Sequence, residues 1–286
     1  MAGRVMRGYL ELPWGQVHYR TVHASPGSAA GPAGVESRPL LLMLHQTPLD
    51  SEHYERVLPL LAEFAIPVAV DSPGYGLSDR PPPGTAAGGG SEWDVEDYGR
   101  LTWEIADQLG GERVYLFGRA TGSVLAVESA AQQPERVRAL VLHGLPVYDD
   151  ETKAQRLADV EFGAPTVPQA DGAHLVRLWE RVLGQYPYLG PDEVQWHVER
   201  YLAGGPDFAL AYRALWRYDL PAAVARLRAP ALLIGGTHDR VFGWFEDGRR
   251  LLPDAEWEFF DDATDFIAAD APERFAARLR RFYEAH

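Results

Sequence analysis

Five near-continuous apolar runs, at 40–44, 66–70, 114–117, 139–142 and 231–234, recur along the chain with helix-period segments between them. A strand with one wet face alternates apolar and polar residues. One that is apolar throughout is covered on both faces, as central strands of parallel sheets are. The intervening segments supply the covering faces. Tyr54, Val57, Leu58, Leu61 and Phe64 share one stripe, and Val95, Tyr98, Leu101, Ile105 and Leu109 share another. Phe275, Leu279 and Phe282 form a third, after a last strand at 256–260. Segment 7–24 predicts an antiparallel hairpin turning at Trp14-Gly15. This alternation implies a doubly wound α/β sheet.

Three segments interrupt the pattern. Residues 25–34 and 81–91 are rich in Gly, Pro and Ala and predict surface loops. Residues 146–226 contain no strand run and many aromatics, including Trp179, Tyr186, Trp196, Tyr212 and Trp216. An insertion of about 80 residues is too long for a simple crossover between parallel strands. It predicts a helical cap, with a core made of 1–145 and 227–286.

Charge and cysteine content narrow the chemistry. With 41 Asp and Glu against 27 Lys and Arg the net charge is −14, which repels phosphate backbones and argues against nucleic acid as a partner. A hydrophobic fraction of 46% is enough for a large core. No apolar run approaches the roughly 20 residues of a membrane span, and the first residues lack a signal-peptide core, so a cytoplasmic protein with no membrane partner is expected. The absence of cysteine removes disulfides, thiolate metal sites and cysteine nucleophiles together.

The chemistry-bearing residues sit at strand ends. Phe117-Gly118-Arg119-Ala120-Thr121-Gly122-Ser123 joins a buried strand to a helix. Small residues at 118 and 122 permit a turn so tight that residue 120 is held, strained, at the strand tip. His45-Gln46-Thr47-Pro48 follows another buried strand, and Asp71-Ser-Pro-Gly-Tyr-Gly-Leu-Ser-Asp79 follows the next. Asp239 ends the run 231–234 through Gly-Gly-Thr-His.

In this order and spacing, these features resemble the α/β-hydrolase fold family from about residue 7 to the C-terminus. The resemblance implies a nucleophile at position 120, an oxyanion hole at the backbone N–H of Thr121 and of Gln46 or Thr47, an acid at Asp239 and a histidine after the last strand. Two positions depart from it. Ala120 has no nucleophilic atom, and Asp265 stands where the histidine belongs, with none of the nine histidines between Asp239 and His286. A Ser-His-Asp acyl-enzyme route therefore has no physical basis in this chain.

Asp239 and Asp265, brought together by such a fold, would share a proton and form an acid/base pair, with His238 beside them. Each also has a structural alternative: a solvated loop carboxylate, or a loop histidine. His45, Arg119, His143, Trp179 and Trp216 are candidates for substrate contact, although His45 and Arg119 also suit purely structural roles. No metal-ligand spacing is present and no cofactor is expected. The expected partner is a small, largely apolar molecule, and a homodimer is left open.

Three functions compete. The leading expectation is a non-hydrolytic enzyme of lyase, isomerase or cyclase type, of the kind found in bacterial secondary metabolism, using the carboxylate pair and the oxyanion N–H groups. A hydrolase is the alternative, either with Ala120 replacing a serine or with water activated by an acid. A ligand-binding protein that keeps the pocket without catalysis is the third.

Overall fold

The computed structural model describes residues 3–22, 38–86, 89–90, 92–159, 162 and 166–286. Eight strands form one sheet in the order β1-β2-β4-β3-β5-β6-β7-β8. They are β1 (Val5–Leu12), β2 (Gly15–Val22), β3 (Leu40–Leu44), β4 (Ile66–Val70), β5 (Val114–Arg119), β6 (Val137–His143), β7 (Ala231–His238) and β8 (Glu256–Thr264). The β1–β2 hairpin is antiparallel, and β2 pairs antiparallel with β4; all other pairs are parallel. The hairpin turns one residue earlier than expected, because Leu12 already pairs with Gly15 and leaves Pro13-Trp14 as the loop.

The apolar runs split between two cores, as the two-residue period of a strand requires. Leu42, Leu44, Leu116, Leu140, Leu142 and Leu233 face one side, where helices Val95–Gln108 and Thr121–Gln132 cover them. Leu41, Met43, Phe117, Val141, Leu232 and Ile234 face the other, under helix Pro272–Tyr283. The sheet is thus buried on both faces, which is why its strands carry almost no polar residues. The stripe 54–64 is a broken helix rather than a continuous one. A 3-10 turn at Ser51–Tyr54 is followed by a single turn at Leu58–Leu61. Pro59 lies in the first turn of that second piece, the one place in a helix where a missing N–H costs nothing. The apolar side chains are buried as the stripe requires.

Between β6 and β7 the described residues form helices Asp150–Ala158, Ala173–Gln185, Pro191–Gly204, Leu210–Arg217 and Leu220–Val224. A third cluster of buried residues, including Leu178, Val182, Val198, Tyr201 and Phe208, packs helices Ala173–Gln185 and Pro191–Gly204 onto Leu49 and Phe266 of the sheet-side loops, while Leu210–Arg217 and Leu220–Val224 join the first core. Polar ties add to it: Tyr75 Oη donates to the Phe208 carbonyl (2.9 Å), and Arg200 meets Asp50 (3.2 Å) and Glu52 (3.0 Å). The expected loop 25–34 and residues 87, 88 and 91 of the expected loop 81–91 lie outside the described residues. Among the described residues no helix is long and apolar enough to cross a membrane.

Candidate active site

The turn after β5 explains its two glycines. A Cβ on Gly118 would collide with the Gly122 backbone, and one on Gly122 with the Leu44 and His45 carbonyls at the end of β3. Backbone atoms cannot swing aside, so only glycine fits. Between them Ala120 has φ 47° and ψ −110°, and it is the one non-glycine residue of positive φ among the described residues. A conformation of that kind costs about 1–3 kcal/mol and persists only where its surroundings fix it. Here Ala120 N donates to the His143 carbonyl (2.9 Å), while the Ala120 carbonyl accepts from Ser123 N (2.9 Å) and Ser123 Oγ (2.6 Å).

Thr121 opens the following helix, where first-turn N–H groups have no partner within the helix. Its side chain does not point away from the cleft, as a purely structural threonine would. Thr121 Oγ1 lies 3.5 Å from Thr47 N, and both residues line the cavity beside Ala120. Gln46 is buried and outside that lining, and its side-chain amide has no hydrogen-bond partner among the described residues. His45 is fixed by backbone: Nδ1 meets the Gln46 carbonyl (3.0 Å), and Nε2 accepts from Ser72 N (2.8 Å). With both ring nitrogens engaged and the ring outside the cavity lining, His45 serves the loop rather than a substrate.

The acid end differs most from expectation. Arg119, fully buried at the end of β5, places Nη2 2.8 Å from Asp239 Oδ1 and 2.7 Å from Asp265 Oδ1. Its Nε and Nη1 donate to the carbonyls of Asp265 (3.2 Å) and His143 (3.3 Å). The carboxylates therefore share a guanidinium, not a proton. Burial alone would raise the Asp239 pKa. Arg119, together with His143 and the Val241 N–H, outweighs it and holds the carboxyl well below the usual range. Asp265 Oδ2 accepts from Arg240 N (3.0 Å) and Tyr188 Oη (3.2 Å), whereas Asp239 Oδ2 is buried without a hydrogen-bond partner among the described residues. An acid/base pair of the kind expected is absent from this arrangement.

His143 lies beneath the cluster, with Nε2 3.4 Å from Asp239 Oδ2. Burial first, and then the Arg119 charge, push its pKa down. His238, still within β7, is exposed and outside the cavity lining; Trp179, half-buried among the helices between β6 and β7, is outside the lining as well. Of the five expected substrate contacts, only Trp216 lines the cavity.

The cavity itself, about 280 Å³, sits over Ala120 at the C-terminal ends of the strands, where α/β sheets place their ligands. Tyr212 and Trp216 stack nearly parallel (5.7 Å, 11°), Phe162 meets both edge-on, and Tyr148 packs on Trp244 (4.7 Å). Tyr212 Oη donates to the Thr47 carbonyl (2.6 Å) and ties the aromatic wall to the floor. Burial pushes the Tyr148 and Tyr212 phenols upward, so they act as donors. Arg156, Gln185 and Arg240 complete the polar lining, and the sequence reading missed all three. Arg240 had a signal, being adjacent to Asp239; Arg156 had none, because a helix of unknown packing cannot be aimed. Among the described residues no three His, Asp or Glu side chains converge as a metal site would require. A larger cleft of about 700 Å³ lies at the opposite ends of the strands, beside Arg38, Arg113 and Arg138, away from these groups.

The sheet order, the tight turn after β5 and the polar groups after β7 and β8 together define a fold family. A profile described as the alpha/beta hydrolase fold matches residues 39–272, and the chain belongs to that family. Haloalkane dehalogenase 2 of Mycobacterium tuberculosis is 27% identical over 259 residues, covering 84% of this chain and 86% of that protein. The 2-(acetamidomethylene)succinate hydrolase of Mesorhizobium japonicum is 25% identical over 262 residues, covering 87% and 89%. Among solved structures, the enol-lactonase from Burkholderia xenovorans LB400 superposes with a TM-score of 0.74 at 16% identity, covering 98% of this chain and all of that one. The lactonase likeness shows the fold; the two relatives matched by sequence are named as a dehalogenase and a hydrolase, which supports an enzyme here. They overturn the expectation of a lyase, isomerase or cyclase, and a hydrolase fits better.

Proposed function

We propose that this chain is a small-molecule hydrolase whose substrate lies in the cavity above Ala120, with residues 146–226 acting as its cap. The observation that carries the reading is the conformation of Ala120. The strained turn is kept, with its tip opening on the cavity, next to Thr121 and Thr47. N–H groups of the backbone can stabilise a developing oxyanion whatever side chain residue 120 carries. Water is then the attacking group, because Ala120 has nothing to acylate. The aromatic walls hold the apolar part of the substrate, and the Tyr148 phenol is placed to donate.

The test is a panel of small esters, lactones and amides in ¹⁸O-labelled water, followed by mass spectrometry of product and protein. The reading expects one label in the acid product and no adduct on residues 118–122. Absence of turnover across substrates that demonstrably bind would end it. A second reading, a binding protein of the same family, is favoured by one specific observation. Among the described residues, no carboxylate or imidazole lines the cavity, and Asp239 and Asp265 are locked to Arg119. General-base help of about 10²–10⁴-fold has no evident source there.

A further inference from the structure

We propose that the cavity takes an organic anion: a small aromatic carboxylate, with its acid group held by Arg156 and Arg240 and its ring against Tyr212 and Trp216. The inference deepens the hydrolase reading by naming a ligand class for the same site, but its test does not depend on turnover.

Charge is the first argument. Two guanidiniums, of Arg156 and Arg240, line the cavity and no carboxylate does among the described residues; Arg119, Asp239 and Asp265 lie outside the lining. Arg119 is consumed by those carboxylates. Arg240 offers Asp265 only a long contact through Nε (3.5 Å) and lies over the Tyr186 ring (4.5 Å), which leaves its two terminal nitrogens without a hydrogen-bond acceptor among the described residues. Arg156 has neither an ion-pair partner nor a side-chain hydrogen bond among the described residues. In a chain of net charge −14, most of whose other arginines have carboxylate partners, these two exposed guanidiniums open on one concave site with donors free for an anion. A guanidinium fork presents parallel donors that match a carboxylate better than any neutral group.

Shape is the second argument. The remaining wall is flat and apolar: the Tyr212–Trp216 stack on one side, with Phe162 edge-on to it. Aromatic surfaces of this kind favour an offset or edge-on ring. A volume near 280 Å³ is at the small end for ligand pockets, which fits a single ring with a short acid arm.

The experiment uses isothermal titration calorimetry of the 286-residue chain with benzoate, phenylacetate and 3-phenylpropanoate, each beside its neutral amide. At least one acid should bind about tenfold tighter than its amide, the gap expected of charge-assisted hydrogen bonds. Arg156→Gln should bring that acid to within about threefold of its amide, with amide binding still measurable and a melting curve like that of the wild type reporting that the fold is intact. The inference is overturned if no acid outranks its amide, or if Arg156→Gln leaves the preference in place. Ester turnover without any acid preference would sink the inference and spare the hydrolase reading. Acid preference without turnover would do the reverse.

Discussion

Replacing Arg119 by methionine is the sharpest test of the buried charge cluster at the ends of β5, β7 and β8. Methionine keeps the length and packing of the stem, and removes a guanidinium that contacts two buried carboxylates at 2.7 and 2.8 Å and two backbone carbonyls. Breaking a buried pair by removing one partner costs about 3–5 kcal/mol, because the remaining charge keeps its desolvation penalty. At about 2–3 °C per kcal/mol for a chain of this size, Tm at pH 8 should fall by roughly 6–15 °C. The pH dependence gives a second, independent sign. In the native protein Asp239 has a depressed pKa, so its contribution is present above the unfolded value of about 3.9 and is lost as pH falls below it. Without Arg119, burial dominates and raises that pKa, and protonation then relieves the folded state. The deficit of Arg119→Met relative to wild type should therefore shrink from pH 8 to pH 5. The triple variant that adds Asp239→Asn and Asp265→Asn should recover much of the loss, since removing all members of a buried cluster is far cheaper than removing one. Thermal melts across pH decide it. A single variant within about 1 kcal/mol of wild type, or a deficit that widens in acid, would show that the guanidinium does not balance these carboxylates.

Other perturbations test the neighbouring claims. Ala120→Gly should be neutral or stabilising by about 1 kcal/mol, because it relieves the positive φ, and a loss larger than that in a urea titration would mean the turn is unstrained. Ala120→Ser alone should not give a fast esterase, and fluorophosphonate probes should leave residues 118–122 unlabelled in the wild type; labelling seen by mass spectrometry would reveal a base within reach. Gly122→Ala should cost about 2–3 kcal/mol or prevent folding, since its Cβ would strike the end of β3; a wild-type melting curve would refute that placement. Buried His53 and His197, pushed down to about 3 and about 4, chiefly by burial, are neutral when folded. A base with a depressed folded pKa loses stability as pH falls from its unfolded value of about 6.5. Tm should thus decline between pH 7 and 5, and less steeply in His197→Phe; parallel profiles would exclude His197 as a source of that decline.

The sequence by itself determined the sheet and the position of the tight turn along the chain. Runs such as 40–44 and 231–234 are apolar at every residue, and only burial on both faces satisfies them; Gly118 and Gly122 mark the tight turn because their constraint is local and steric. The tertiary structure alone decided what stands at the site. Asp239 and Asp265 read as a facing acid pair until Arg119, 120 residues before one and 146 before the other, is found with its guanidinium between them. The direction of the Thr121 hydroxyl, and the meeting of Arg156 with Arg240 in one cavity, likewise depend on how separate loops and helices converge. Backbone periodicity is a property of neighbours in sequence, and pattern reveals it. The partner of a buried charge is set by whichever strand ends the sheet order brings together, and no local spacing encodes that.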